Sequence, residues 1–225
     1  MVNKATYLGI TITGNNSRKI FQIENEEVLV KANRNVSMVI GEVRKSADKA
    51  IVGKAIWKSV SVPSLLFGRA VIPTTKTQAL KLQRKENMVW RNILGIGAYS
   101  ANSSLRGEIG SSLMKTRIMD STLQYARDVL NGKFTKIKEL MEDIIKREVG
   151  DWYNITNSYL EELGITWDSL YTLTKKEIKT LTQNYDTWQW EKEMREKKIL
   201  KYYREGKGKL QYEFCYRNNL NSMFY

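Results

Sequence analysis

Apolar residues recur along this chain at spacings of three and four, the pattern of helices that bury one face. From Val28 a stripe runs through Ala32, Val36, Val39, Val43, Ala47 and Ile51, with Arg34, Arg44, Lys45 and Lys49 off it. Gly41 inside the stripe predicts a bend or break, because glycine costs about 1 kcal/mol against alanine in a helix interior. A second pattern, Ile51, Ala55, Ile56 and Val60, leads to Pro63, where a helix should end or kink for want of an N–H donor. Pro63 to Pro73 is mostly apolar, too short to cross a membrane, and reads as core. Thr75 and Gln78 form a capping box ahead of the stripe Ala79, Leu82, Val89, Trp90 and Ile93, which leaves Lys81, Arg84, Lys85 and Arg91 outward. Trp57 and Trp90 fall on apolar stripes and read as core anchors.

Two glycines punctuate the middle of the chain. Gly95 and Gly110 each stand just past a helix end, where only glycine takes the left-handed backbone without a Cβ clash. A short helix from Leu105 to Ile109 lies between them, and a longer one starts near Ser112 with Met114, Ile118, Tyr125 and Val129 in register, ending at Asn131-Gly132. Further on, Ile137, Leu140, Met141, Ile144 and Ile145 predict an amphipathic helix closing near Gly150. Asn157 to Leu163 predicts another, closing at Gly164. Thr174 and Glu177 are a second capping box, heading the stripe Ile178, Leu181, Tyr185 and Trp188. Beyond it, Glu191 to Lys198 alternates in charge like a solvated helix face.

Strand character is confined to the start. Tyr7 to Thr13 is rich in β-branched residues, and Gly14 to Ser17 is a turn cluster after which Lys19 to Ile23 could return as a second strand. Such a hairpin needs a sheet to cover Leu8, Ile10 and Ile12, or else it lies on the helices. The expected fold is therefore mainly α: a short N-terminal β-hairpin (1–25), a basic helical bundle (26–132), and a second helical region (133–225) with an aromatic tail from Tyr212 to Tyr225. That tail could stack bases or simply pack.

Charge changes the picture more than composition does. The chain of 225 residues carries +13, and residues 31–117 alone hold 16 Lys and Arg against 4 Asp and Glu. A basic region of that density suits a polyanion, and nucleic acid is the commonest one. Arg106, Lys115 and Arg117 sit near helix starts, where the helix dipole is already positive, which points to an anion from outside. Cys215 is the lone cysteine and there is no histidine. Internal disulfides, Cys/His zinc sites and Ser-His-Asp or Cys-His catalysis are therefore excluded. No phosphate-binding glycine loop is present, Arg106 to Gly110 lacks the dinucleotide fingerprint, and no Asp-Asp pair sits on a strand-turn pattern. The expectation is a binding protein rather than an enzyme, without metal or cofactor, with no membrane segment, and intracellular, in nucleus or cytoplasm.

Certain motifs, in order, add to this. Tyr7-Leu8-Gly9-Ile10, a basic helix, Pro63-Ser64-Leu65-Leu66-Phe67-Gly68, Leu82-Gln83-Arg84, Arg91-Asn92-Ile93-Leu94-Gly95 and Leu105-Arg106-Gly107-Glu108-Ile109-Gly110 succeed one another over residues 1 to 132. This succession resembles the region C-terminal to the catalytic palm in reverse transcriptases of non-LTR (LINE-type) retrotransposons. The resemblance implies that Tyr7, Leu8 and Gly9 are primer-grip-like and that the helices after them form a thumb holding template and primer. The family's catalytic aspartates lie upstream of that motif, so RNA-directed DNA polymerase activity does not carry over. The chain reads as a thumb-bearing fragment or remnant.

A thumb grips an A-like duplex through phosphates and sugars, largely without reading sequence. The expected contacts are Arg44, Lys45, Lys49, Lys54, Lys58, Arg84, Arg91, Arg106, Lys115 and Arg117. The implied partners are RNA/DNA or RNA duplex and a palm-bearing reverse transcriptase chain. The alternative is a helical protein-interaction module, or a decayed open reading frame with no selected activity.

Overall fold

The computed structural model describes the backbone of residues 4–7, 10–13, 17–133, 135–207 and 209–210, and side chains from Asn25 onward except that of Arg204. The fold is mainly α. Two short strands, β1 (Lys4–Tyr7) and β2 (Ile10–Thr13), pair antiparallel. The single strand expected from Tyr7 to Thr13 is thus not one run. Lys19 to Ile23, the stretch that could return as a strand, is the start of a long helix, α1 (Ser17–Arg44). Glu24, Glu26 and Glu27 explain the change, since glutamate favours helix over strand.

Helix α1 buries Val28, Ala32, Val36, Val39 and Val43. It runs through Gly41 without a break and ends three residues later. There the Asp48 N–H donates to the Ser46 hydroxyl at 3.1 Å, a local bond that competes with helix continuation. The gap resets the phase, so Ala47 and Ile51, expected inward, are exposed. Ala50 and Gly53 take the buried face of α2 (Lys49–Ile56) instead.

Nor does the chain stop at Pro63. A π-turn (Trp57–Ser61) leads directly into α3 (Val62–Leu66), so a helical rod continues from Lys49 to Leu66. The wider turn accommodates the missing proline donor inside the rod. Of the segment expected as core between Pro63 and Pro73, Leu65 and Ile72 are buried, whereas Phe67 and Val71 face outward.

The next helices keep closer to expectation. Helix α4 (Lys76–Leu94) opens on the Thr75/Gln78 capping box and closes on Gly95 at φ 66°. Helix α5 (Asn102–Ile109) closes on Gly110 at φ 61°, and α6 (Met114–Leu130) comes next. The first core joins α1, α2, α3, α4, α5 and the start of α6 around Trp57 and Trp90. These two rings meet edge to face at 6.2 Å, as core anchors.

A second core takes Met119, Leu123, Ala126 and Leu130 from the later turns of α6. Packed around them are α7 (Thr135–Arg147), α8 (Asp151–Leu163), α9 (Trp167–Thr172) and α10 (Lys175–Glu196). The cores therefore divide inside α6, between Ile118 and Met119, rather than at residue 132. One rigid helix belongs to both. Trp152 ties them again by donating to the Ala70 carbonyl at 3.0 Å.

Helix α7 buries only Met141 of its expected stripe, leaving Ile137 and Leu140 exposed. Helix α10 opens on the Thr174/Glu177 box, yet its buried residues are Ile178, Thr182, Asp186, Trp190 and Met194. Trp188, expected inward, is exposed. A 3-10 turn (Lys198–Leu200) and α11 (Lys201–Gly206) complete the described helices, with Trp190, Met194 and Leu200 as a small third cluster. No helix among the described residues is long and apolar enough to cross a membrane. The aromatic tail lies outside the described residues.

Candidate nucleic-acid interface

The start of α6 is where the two cores are bolted together. Leu113 stands at its N-cap with no capping side chain of its own. Two other helices supply the missing acceptors: the Gln83 amide oxygen of α4 takes the Met114 N–H at 2.8 Å, and the Asp186 carboxylate of α10 takes the Leu113 N–H at 3.1 Å. The same Asp186 oxygen accepts from the Thr116 hydroxyl at 2.9 Å and from Arg106 at 3.0 Å. Both ionised side chains are almost wholly buried, at 1% and 2% exposure. A carboxylate at a helix N-terminus is favoured by the helix dipole as well as by its donors.

Glu86, fully buried on α4, plays the matching part on the other side. One of its oxygens accepts from Trp57 Nε1 at 2.9 Å and from the Ser111 hydroxyl at 2.9 Å, and lies 3.1 Å from Arg117 as an ion pair, while Arg117 donates its hydrogen bond to the Ser111 hydroxyl at 2.9 Å; the other oxygen accepts from Gln83 at 3.1 Å. Lys115 is held by Glu162 of α8, which also accepts from the Tyr185 hydroxyl.

These contacts correct three expected sites. Arg106, Lys115 and Arg117 do not await an outside anion, because Asp186, Glu86 and Glu162 already answer them. Arg106 in particular is buried, and Lys115 and Arg117 keep only 19% and 15% of their side chains exposed. Lys54 is half-buried and donates to the Ile109 carbonyl at 2.8 Å, closing the α5 end rather than facing solvent.

The tyrosines around Glu162 carry a pH consequence. Burial first, then the Glu162 charge, pushes the Tyr159 hydroxyl up to about 12, and burial with the Glu162 hydrogen bond raises Tyr185 as well. A raised pKa means that the neutral form is favoured in the fold. The stability it contributes is whole below about pH 10, the unfolded value, and is lost as pH rises through the folded values. Alkaline titration followed by tyrosinate absorbance and circular dichroism should show these tyrosines ionising together with loss of helix. Ionisation near pH 10 with the helices intact would contradict it.

The remaining expected contacts are on the surface, in two groups. Arg44, Lys45 and Lys49 stand at the corner between α1 and α2, with Lys58 farther along the same rod. All four are exposed, and Lys45 pairs with Glu42 at 3.0 Å. The second group is on α4. Lys81, Arg84, Lys85, Met88, Arg91 and Asn92 obey the i, i+3, i+4, i+7 rule and share its outward face, on which no Asp or Glu falls. Among the described residues nothing pairs with Lys81, Arg84 or Lys85. Arg91 is half-buried, donating to the Ser100 carbonyl at 3.1 Å and to Asn102. Beyond Arg91 the face opens on a surface cavity of about 500 Å³ lined by Met88, Arg91, Asn92, Gly95, Ile96 and Ala98.

Comparison of the chain with protein-family models, curated proteins and solved structures found no match. The surface itself is thus the guide to function. Lys81 and Lys85, outward by their periodicity, belong with the expected contacts although only Arg84 and Arg91 of that face were among them. The signal was their spacing from Arg84. Of the primer-grip-like residues, Leu8 and Gly9 lie outside the described residues, and Tyr7 ends β1 with its side chain undescribed. Among the described residues, no three His, Cys, Asp or Glu side chains come close enough together to hold a metal ion.

Proposed function

We propose that the chain is a sequence-tolerant nucleic-acid-binding module that grips RNA/DNA or RNA duplex through its phosphates, as the thumb of a non-LTR reverse transcriptase does. The observation that carries this reading is the outward face of α4: cations at Lys81, Arg84, Lys85 and Arg91 with no carboxylate among them. Lys81 and Arg84 are exposed and Lys85 half-exposed, all three without a partner among the described residues, while Arg91 is held by Ser100 and Asn102 at the end of the face. Outward cations on a helix suit backbone contact, since phosphates position a protein without specifying sequence. The exposed cations at the α1–α2 corner extend the basic surface. The ordered motifs of residues 1 to 132 support the same reading and make a palm-bearing chain the proposed second partner.

Contact of this kind releases counterions, and the logarithm of the affinity falls with the logarithm of salt by about 0.9 for each phosphate neutralised on a duplex. Anisotropy of a labelled RNA/DNA hybrid across a salt series should therefore give a slope of roughly −3 or steeper, little changed between hybrid sequences. A slope near zero, or binding confined to one sequence, would overturn the reading.

A further inference from the structure

The cavity at the end of the α4 face is placed to receive something the cations bring to it. We propose that it takes an unpaired nucleobase, so that the protein prefers a duplex carrying a single-stranded extension. This rests on the nucleic-acid reading above and narrows its ligand.

Met88 comes one helical turn after Arg84, about 5–6 Å along the axis, so a strand held by Lys81, Arg84 and Lys85 reaches the cavity directly. The cavity walls suit a flat, partly apolar guest. Met88, Ile96 and Ala98 are apolar, and the planar guanidinium of Arg91 is fixed by the Ser100 carbonyl and Asn102. Guanidinium planes and aromatic rings are the usual stacking platforms for unpaired bases. Asn92 donates its amide N–H to the Met88 carbonyl at 3.0 Å, which leaves its oxygen as an acceptor for a base amino group. Next on the same loop is Tyr99, fully exposed, its ring in contact with no other ring or cation among the described residues. Among the described residues no acid lines the cavity, which fits an anionic strand.

An acidic peptide would answer the charge but would bring no planar group to these surfaces. A cavity of this size is within the usual range for small-molecule sites and exceeds the needs of one base.

The test compares a blunt RNA/DNA hybrid with the same hybrid carrying a short unpaired oligo(dA) extension, both labelled, in competition at one salt concentration. The extension should tighten binding roughly fivefold or more, as stacking one base contributes on the order of 1 kcal/mol or more. Tyr99→Ala, at a fully exposed position, should remove that advantage and leave blunt-hybrid affinity unchanged, and Tyr99→Phe should keep it. Equal affinity for the two hybrids overturns the inference while the phosphate-gripping reading stands. So does an equal loss for both hybrids in Tyr99→Ala, or an oligoglutamate that displaces the extended hybrid as well as oligo(dA) does. No binding to either hybrid overturns both proposals.

Discussion

Replacing Asp186 with alanine should cost about 3–5 kcal/mol of unfolding free energy, because removing one partner of a buried ion pair strands the other. Arg106 cannot reach solvent, its side chain being 1% exposed, and would keep only its longer 3.7 Å ion pair with the part-exposed Glu193. The loss does not stop at the pair. The Leu113 N–H and the Thr116 hydroxyl also lose their acceptor, and the first turn of α6 loses its negative cap. Because α6 runs through both cores, urea unfolding followed by circular dichroism should register the change across the whole molecule. The double variant Arg106→Met with Asp186→Leu should be less destabilised than the sum of its singles, since it removes both charges together. A loss below about 1 kcal/mol in Asp186→Ala would show that the pair contributes little.

Glu86→Ala should be comparably severe, about 3–5 kcal/mol, for a related reason. Three side chains donate to this carboxylate, Trp57 and Ser111 on one oxygen and Gln83 on the other, and the Arg117 cation lies 3.1 Å from the first as an ion pair. With the carboxylate gone, at least the buried Trp57 N–H is left without its partner. Glu86→Gln is the sharper variant. It keeps the shape but turns an amide N–H₂ toward a donor, so it should also destabilise, by about 1–3 kcal/mol. If Glu86→Gln unfolds at the same urea midpoint as the parent chain, this donor and ion-pair geometry is wrong.

These two acids explain much of what the sequence did and did not disclose. The stripes of α1 and α4 are legible because their buried residues, Val36, Val39 and Val43 or Leu82, Val89 and Ile93, are apolar and evenly phased. Helix ends at Gly95 and Gly110 are legible because one residue type answers one backbone need. The buried face of α10 is not, since Ile178, Thr182, Asp186, Trp190 and Met194 repeat every fourth residue with polar members in the middle. A reading anchored on apolar residues steps sideways to Leu181, Tyr185 and Trp188.

Arg106 is hidden for the same reason. Its anion lies 80 residues away, and sequence alone makes such a cation look available. One signal does exist: Arg106 is flanked on a short helix by Leu105 and Ile109, both buried. The cations of α4, by contrast, were visible from spacing alone, because an outward face needs no distant partner to define it. Fold class was thus more legible than site, since helices are local and a buried ion pair is not.

If the outward cations of α4 hold a polyanion, as proposed, their loss should weaken binding more than an equal loss of charge elsewhere. The most direct test is to reverse Lys81, Arg84 and Lys85 to glutamate in one variant and, in another, Lys136, Lys146 and Lys179, three exposed lysines on the second core. Both variants change net charge equally and disturb no buried contact. Anisotropy with an RNA/DNA hybrid should show at least tenfold weaker binding for the α4 variant, about 1.4 kcal/mol or more, and a small change for the control. Equal weakening in the two would mean that only net charge matters and would contradict the claim.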